Sequence, residues 1–75
     1  MYEIYGTTNC TFCDKAKQLL TQHDKPYTFI DVAEDEDITA AFFRKFPGVR
    51  KVPQIMCGYE HIGGFGELRK RLTSA

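Results

Sequence analysis

Two cysteines three positions apart, Cys10-Thr11-Phe12-Cys13, are the residues of this chain best suited to chemistry. They stand too close for the long loop that a structural staple closes, so reactive thiols are the better reading than scaffold. At the mouth of a helix this spacing puts both sulfurs on one face, near enough to join as a disulfide without unwinding the backbone. Unpaired amides of the first turn, those of Phe12 and Cys13, would point at the Cys10 sulfur, and the helix macrodipole adds positive potential; both favour a thiolate there. Cys10 is therefore the expected nucleophile and the deeper Cys13 the resolving thiol. Cys10 attacks a disulfide, a mixed disulfide forms, and Cys13 or an external thiol displaces the product. Phe12 between them presents either a flat apolar wall to a substrate or ordinary core packing. The third cysteine, Cys57, alternates with Met56 and shares a face with Ile55, which predicts a buried, inert thiol. Zinc is not expected, because Cys57, His23 and His61 do not pair at ligand spacing.

The elements that must position these cysteines are legible on either side. Tyr2 to Gly6 is aromatic and β-branched and is broken by Gly6-Thr7-Thr8-Asn9, a strand followed by a loop. From Thr11 to about His23, Phe12, Ala16, Leu19 and Leu20 recur at helical spacing, with Lys15, Lys17 and Gln18 opposite. Pro26 marks the exit, and His23 suits a C-terminal cap. Tyr27 to Val32 reads as a second strand, parallel to the first through a right-handed crossover. The acidic run 34–37 suits the positive end of a second helix, in which Ile38, Ala41, Phe42 and Phe46 form an apolar stripe ended by Pro47-Gly48. Gln54-Ile55-Met56-Cys57, a turn at Gly58-Tyr59 and Glu60-His61-Ile62 read as a hairpin. A last helix from about Phe65 to Leu72 turns Phe65, Leu68 and Leu72 inward and carries Arg69, Lys70 and Arg71 at its negative end. Tyr5, Phe29, Phe42 and Phe46 are expected core, and His61 an edge residue without a proton-transfer task. The order β-α-β-α-β-β-α gives a small mixed sheet with helices on both faces.

Composition bounds the rest. The chain has 75 residues, 43% of them hydrophobic, and ten basic side chains balance ten acidic ones. No apolar run approaches the roughly 18 residues that read as a membrane span. A domain this small buries only about 60% of the surface its unfolded chain exposes, so residues 1–75 are expected to form one thin-cored, monomeric domain without repeats or linkers. Balanced charge argues against a nucleic-acid surface. Met1-Tyr2-Glu3-Ile4-Tyr5 lacks the basic start and apolar segment of a secretory signal, which makes a reducing cytoplasm the expected setting.

Ile4-Tyr5-Gly6, Cys10-Thr11-Phe12-Cys13, Ala16, Leu19-Leu20, Val52-Pro53-Gln54-Ile55 and Ile62-Gly63-Gly64-Phe65, in that order, resemble the glutaredoxins over nearly the whole chain. The resemblance implies a thioredoxin-like α/β fold with a four-stranded sheet and three helices. It also implies a cis peptide before Pro53 that holds the Val52 backbone beside the cysteines, and glutathione as co-substrate with no permanently bound cofactor. The implied glutathione contacts are Thr8, Phe12, Lys51, Val52, Pro53, Gly63, Gly64, Phe65 and Glu67, the last toward the γ-glutamyl end. Where relatives carry a basic residue ahead of the cysteines this chain has Thr7; Lys51 stands for the usual Thr before Val-Pro, and Ala40 for a Gln or Arg. Arg44, Arg50 or Lys51 is left to meet glutathione carboxylates.

The function implied is a dithiol oxidoreductase that reduces protein disulfides and glutathione mixed disulfides, with ribonucleotide reductase as a plausible protein partner. Two alternatives stand beside it. One is a redoxin of the same fold served by thioredoxin reductase. The other is an iron–sulfur cluster carrier, disfavoured because such relatives usually have a single cysteine followed by small residues, unlike Thr11, Phe12 and Cys13.

Overall fold

The computed structural model describes residues 1–49 and 51–74. Arg50, one of the three cations considered for glutathione carboxylates, lies outside the described residues. The elements follow the expected order: β1 (Tyr2–Gly6), α1 (Thr11–Gln22), β2 (Tyr27–Asp31), α2 (Glu36–Lys45), β3 (Gln54–Cys57), β4 (Glu60–Gly63) and α3 (Phe65–Thr73). Their strands make one four-stranded sheet in the order β2-β1-β3-β4. β1 runs parallel to β2, the pairing a crossover through α1 demands, and antiparallel to β3, which pairs antiparallel with β4.

Alternation along the strands sorts side chains onto two faces, each with its own cluster. Ile4 and Ile55 pack with Ala16 and Leu20 of α1 and Leu68 of α3, all five fully buried. Across the sheet, Phe42 of α2 and its cap residue Phe46 cover Val32 and Met56, and the Tyr5 ring lies 5.3 Å from that of Phe46. Two helices on one face and one on the other give the three-layer thioredoxin-like arrangement that the resemblance implies.

Three details differ from expectation. Ala41 is exposed, because the buried line of α2 follows Ile38, Phe42 and Phe46 at intervals of four, and Ala41 lies about 100° around the helix from Phe42. Cys57 is half-buried, since it closes β3 where the ladder yields to the exposed turn at Gly58 (φ +61°). Tyr5 and Phe29 are likewise half-buried, flanking the two clusters instead of filling them. The β3–β4 pairing is also irregular: Ile55 faces Gly63 and Met56 faces His61, so Ile62 is an extra residue on β4. The bulge sends Ile62 to the first cluster and His61 toward Phe46, whose ring is 4.8 Å away.

Candidate active site

Cys10 is the N-cap of α1, in extended backbone, and its sulfur accepts the Cys13 N–H at 3.1 Å. One of the two amides expected from sequence thus makes this contact. A donor at the positive end of a 12-residue helix complements negative charge on that sulfur. Cys13 lies one turn further in and is fully buried. It sits against the end of β1, where a Cβ at Gly6 would overlap the Cys13 sulfur. Burial pushes the Cys13 thiol up to about 12, and its hydrogen bond with Cys10 pushes the same way; the Thr7 backbone amide and the Lys17 ammonium oppose the shift. Two thiolates this close would repel, so a negative charge on the neighbouring sulfur adds to the burial that keeps the proton on Cys13. Once Cys10 is tied up in a mixed disulfide that repulsion is gone, and Cys13 becomes easier to ionise. Burial and charge thus favour the expected order, with Cys10 the more accessible sulfur and Cys13 the protected one.

The Val52–Pro53 peptide is cis, and the Val52 carbonyl lies 3.9 Å from the Cys10 sulfur. From there a groove of about 810 Å³ runs to the start of α3, within the usual range for a small-ligand site. Of the contacts expected from the resemblance, Phe12, Lys51, Val52 and Pro53 line one part of it, and Gly64, Phe65 and Glu67 another. Thr8 and Gly63 are not among the lining residues. Thr8 is exposed in the loop ahead of Cys10. Gly63 has φ +119° and a Cβ there would come within 2.9 Å of Glu67 Oε1, so this glycine lets the helix cap close behind the groove. Phe12 is 53% exposed and its ring centroid is 5.9 Å from that of Phe65, so it is not core packing and its ring lies along the groove.

Gln54, Gly66, Arg69, Lys70 and Thr73 also line the groove and were not anticipated. Gly66, Arg69, Lys70 and Thr73 stand at i, i+3, i+4 and i+7, one face of α3, a signal hidden by reading the cations only as helix-end charges. Arg44, on α2, is not among the lining residues. The groove's single acid, Glu67, is already engaged: its Oε1 accepts the Gly64 N–H at 2.7 Å, so its charge caps α3 from within. Lys51, Arg69 and Lys70 therefore leave the groove positive and suited to a ligand bearing carboxylates. Among the described residues no group of three or more His, Cys, Asp or Glu is placed to hold a metal ion.

The glutaredoxin family model matches residues 2–62 of the chain. A hybrid peroxiredoxin, hyPrx5, of Haemophilus influenzae is 42% identical over 67 residues, 89% of this chain and 27% of that protein. Glutaredoxin 1 of Rickettsia typhi is 36% identical over 66 residues, 87% of this chain and 64% of that one. Among solved structures, a buckwheat glutaredoxin–glutathione complex superposes with a TM-score of 0.77 at 30% identity, covering 93% of this chain and 66% of the other. The chain thus spans about a quarter of the first relative's length and just under two thirds of the other two.

Proposed function

The chain belongs to the glutaredoxin family, whose members are thiol–disulfide oxidoreductases, and we propose that it is a glutathione-dependent dithiol enzyme reducing protein disulfides and glutathione mixed disulfides. The observation that carries the glutathione assignment is the groove lined by Val52, whose carbonyl lies 3.9 Å from the Cys10 sulfur, although neither Cys10 nor Cys13 lines the groove itself. Glutathione is a short peptide with two carboxylates. The Val52 backbone suits its peptide groups, the Phe12–Phe65 wall its apolar portion, and Lys51, Arg69 and Lys70 its charge. The buckwheat relative solved with glutathione supports the same reading.

In the first step the Cys10 thiolate attacks one sulfur of the substrate disulfide. That S–S bond breaks, a Cys10 mixed disulfide forms, and the departing thiolate takes a proton from water. With a protein disulfide, Cys13 then loses its proton and attacks Cys10, releasing the reduced product and leaving the Cys10–Cys13 disulfide. Two glutathione molecules return this to the dithiol: the first forms a mixed disulfide on Cys10, and the second attacks it to give oxidised glutathione. With a glutathione mixed disulfide, external glutathione resolves Cys10 directly and Cys13 is not needed. Ribonucleotide reductase is a protein substrate consistent with this chemistry, and a reducing cytoplasm is the setting that keeps the dithiol armed. Among the described residues no helix is long and apolar enough to cross a membrane.

Turnover of a protein disulfide is to be measured with glutathione plus glutathione reductase, and separately with thioredoxin reductase. The glutathione system should drive the reaction several-fold faster; a clear preference for thioredoxin reductase refutes the glutathione assignment while leaving the dithiol chemistry intact.

A further inference from the structure

Gln54 is the chain's one buried polar side chain among the described residues, and it lies directly behind the strap 51–53 that carries Val52 past Cys10. A buried amide must find partners for both its ends. Its Nε2 donates to the Lys51 carbonyl at 3.0 Å, and its Oε1 meets His61 Nε2 at 2.7 Å. The first bond fixes which end of the amide is which. Since Oε1 can only accept, His61 must be the donor, and the imidazole is held with its proton on Nε2. The bulge at Ile62 and the Phe46 ring 4.8 Å away aim that nitrogen at Gln54.

Backbone geometry carries the consequence to the site. In a planar trans peptide the C=O and the following N–H point in opposite directions. The Lys51–Val52 peptide is not among the cis bonds of this structure. Hooking the Lys51 carbonyl inward onto Gln54 therefore turns the Val52 N–H outward, on the residue whose carbonyl stands 3.9 Å from the Cys10 sulfur. We infer that His61 and Gln54 are positioning residues: through the Lys51 carbonyl they present the Val52 backbone to a peptide-like ligand at Cys10. The inference rests on the glutathione reading for the ligand's identity, but not for the existence of the relay.

His61→Phe keeps a ring to stack on Phe46 and removes the donor; His61→Gln restores a donor of similar reach. With the mixed disulfide of glutathione and 2-mercaptoethanol as substrate, His61→Phe should raise KM by about two- to tenfold, the range one neutral hydrogen bond spans. kcat should stay within about twofold, because ground and transition states lose the same contact. His61→Gln should recover most of the loss. In ¹⁵N NMR spectra the resting wild-type His61 should show the Nε2–H tautomer, and the Val52 amide signal should move in His61→Phe and return in His61→Gln. An Nδ1–H tautomer, a wild-type KM in His61→Phe, or equal damage in both variants with a lowered melting temperature overturns the relay. Should wild-type protein show no turnover with glutathione, the glutathione reading fails, and the tautomer and the Val52 signal still decide the relay.

Discussion

Glu67→Gln separates two roles that the resemblance and the geometry assign to one side chain. The resemblance puts Glu67 on the γ-glutamyl end of glutathione; in the structure its Oε1 accepts the Gly64 N–H at 2.7 Å and caps α3. Glutamine keeps an oxygen at that distance and loses only the charge. Stability should fall by about 0.3–1 kcal/mol, the value of a negative charge at a helix N-terminus. For a domain of this size about 1 kcal/mol lowers the melting temperature by roughly 4–8 °C, so the change is measurable by thermal or urea unfolding. Binding should move the other way. The groove holds Lys51, Arg69 and Lys70 against this single acid, so removing the acid strengthens its field for an anionic ligand. Exposed charges interact by about 0.2–1 kcal/mol, which lowers the glutathione KM by up to roughly fivefold. The gain should shrink as salt is raised from 10 mM toward 1 M, as screening requires. A KM that rises in Glu67→Gln would refute this reasoning and place the carboxylate on the ligand's ammonium.

Leu68→Ala, at a fully buried position under the sheet, should cost about 2–5 kcal/mol in urea unfolding, and a loss under 1 kcal/mol would contradict the packing described for α3. Phe12→Ala removes the exposed ring of the Phe12–Phe65 pair, which should cost about 0.5–1.5 kcal/mol of stability, a fall in melting temperature that can be measured, and should raise KM for glutathione substrates by about two- to tenfold; an unchanged KM would remove Phe12 from the ligand site. Cys13, an acid whose folded value is raised from 9.0 to about 12, contributes stability that is fully present below pH 9 and lost as pH rises from 9 toward 12, because the unfolded thiol ionises first. Reduced wild type should therefore lose stability over that window more steeply than Cys13→Ala; parallel curves would show that burial does not hold the proton.

Much of the fold was legible because each element carries its own signal. The Cys10 cap, the stripe of Ala16 and Leu20, and the acids ahead of α2, where Asp35 accepts the Ile38 N–H at 2.9 Å, are local patterns with local causes. What escaped depends on contacts between segments. Cys57 shares its strand's alternation, but its exposure is decided by the turn that follows. His61 alternates like an ordinary edge residue, and only the bulge at Ile62, a property of two strands together, turns it onto Phe46 and Gln54. Arg69 and Lys70 suit the negative end of a helix from sequence alone, and the groove they also face exists only once α3 packs beside Val52-Pro53. The cysteine pair, by contrast, needed only a strand, a loop and a helix start.

The central claim, that Cys10 attacks and Cys13 resolves, is tested most directly by intact-mass and peptide mass spectrometry after brief exposure of the reduced protein to oxidised glutathione. Wild type should end as a Cys10–Cys13 disulfide without adduct, Cys13→Ser should retain one glutathione on Cys10, and Cys10→Ser should acquire none on Cys13. A glutathione found on Cys13 in Cys10→Ser, or on Cys57 in preference to Cys10 in Cys13→Ser, would contradict the account.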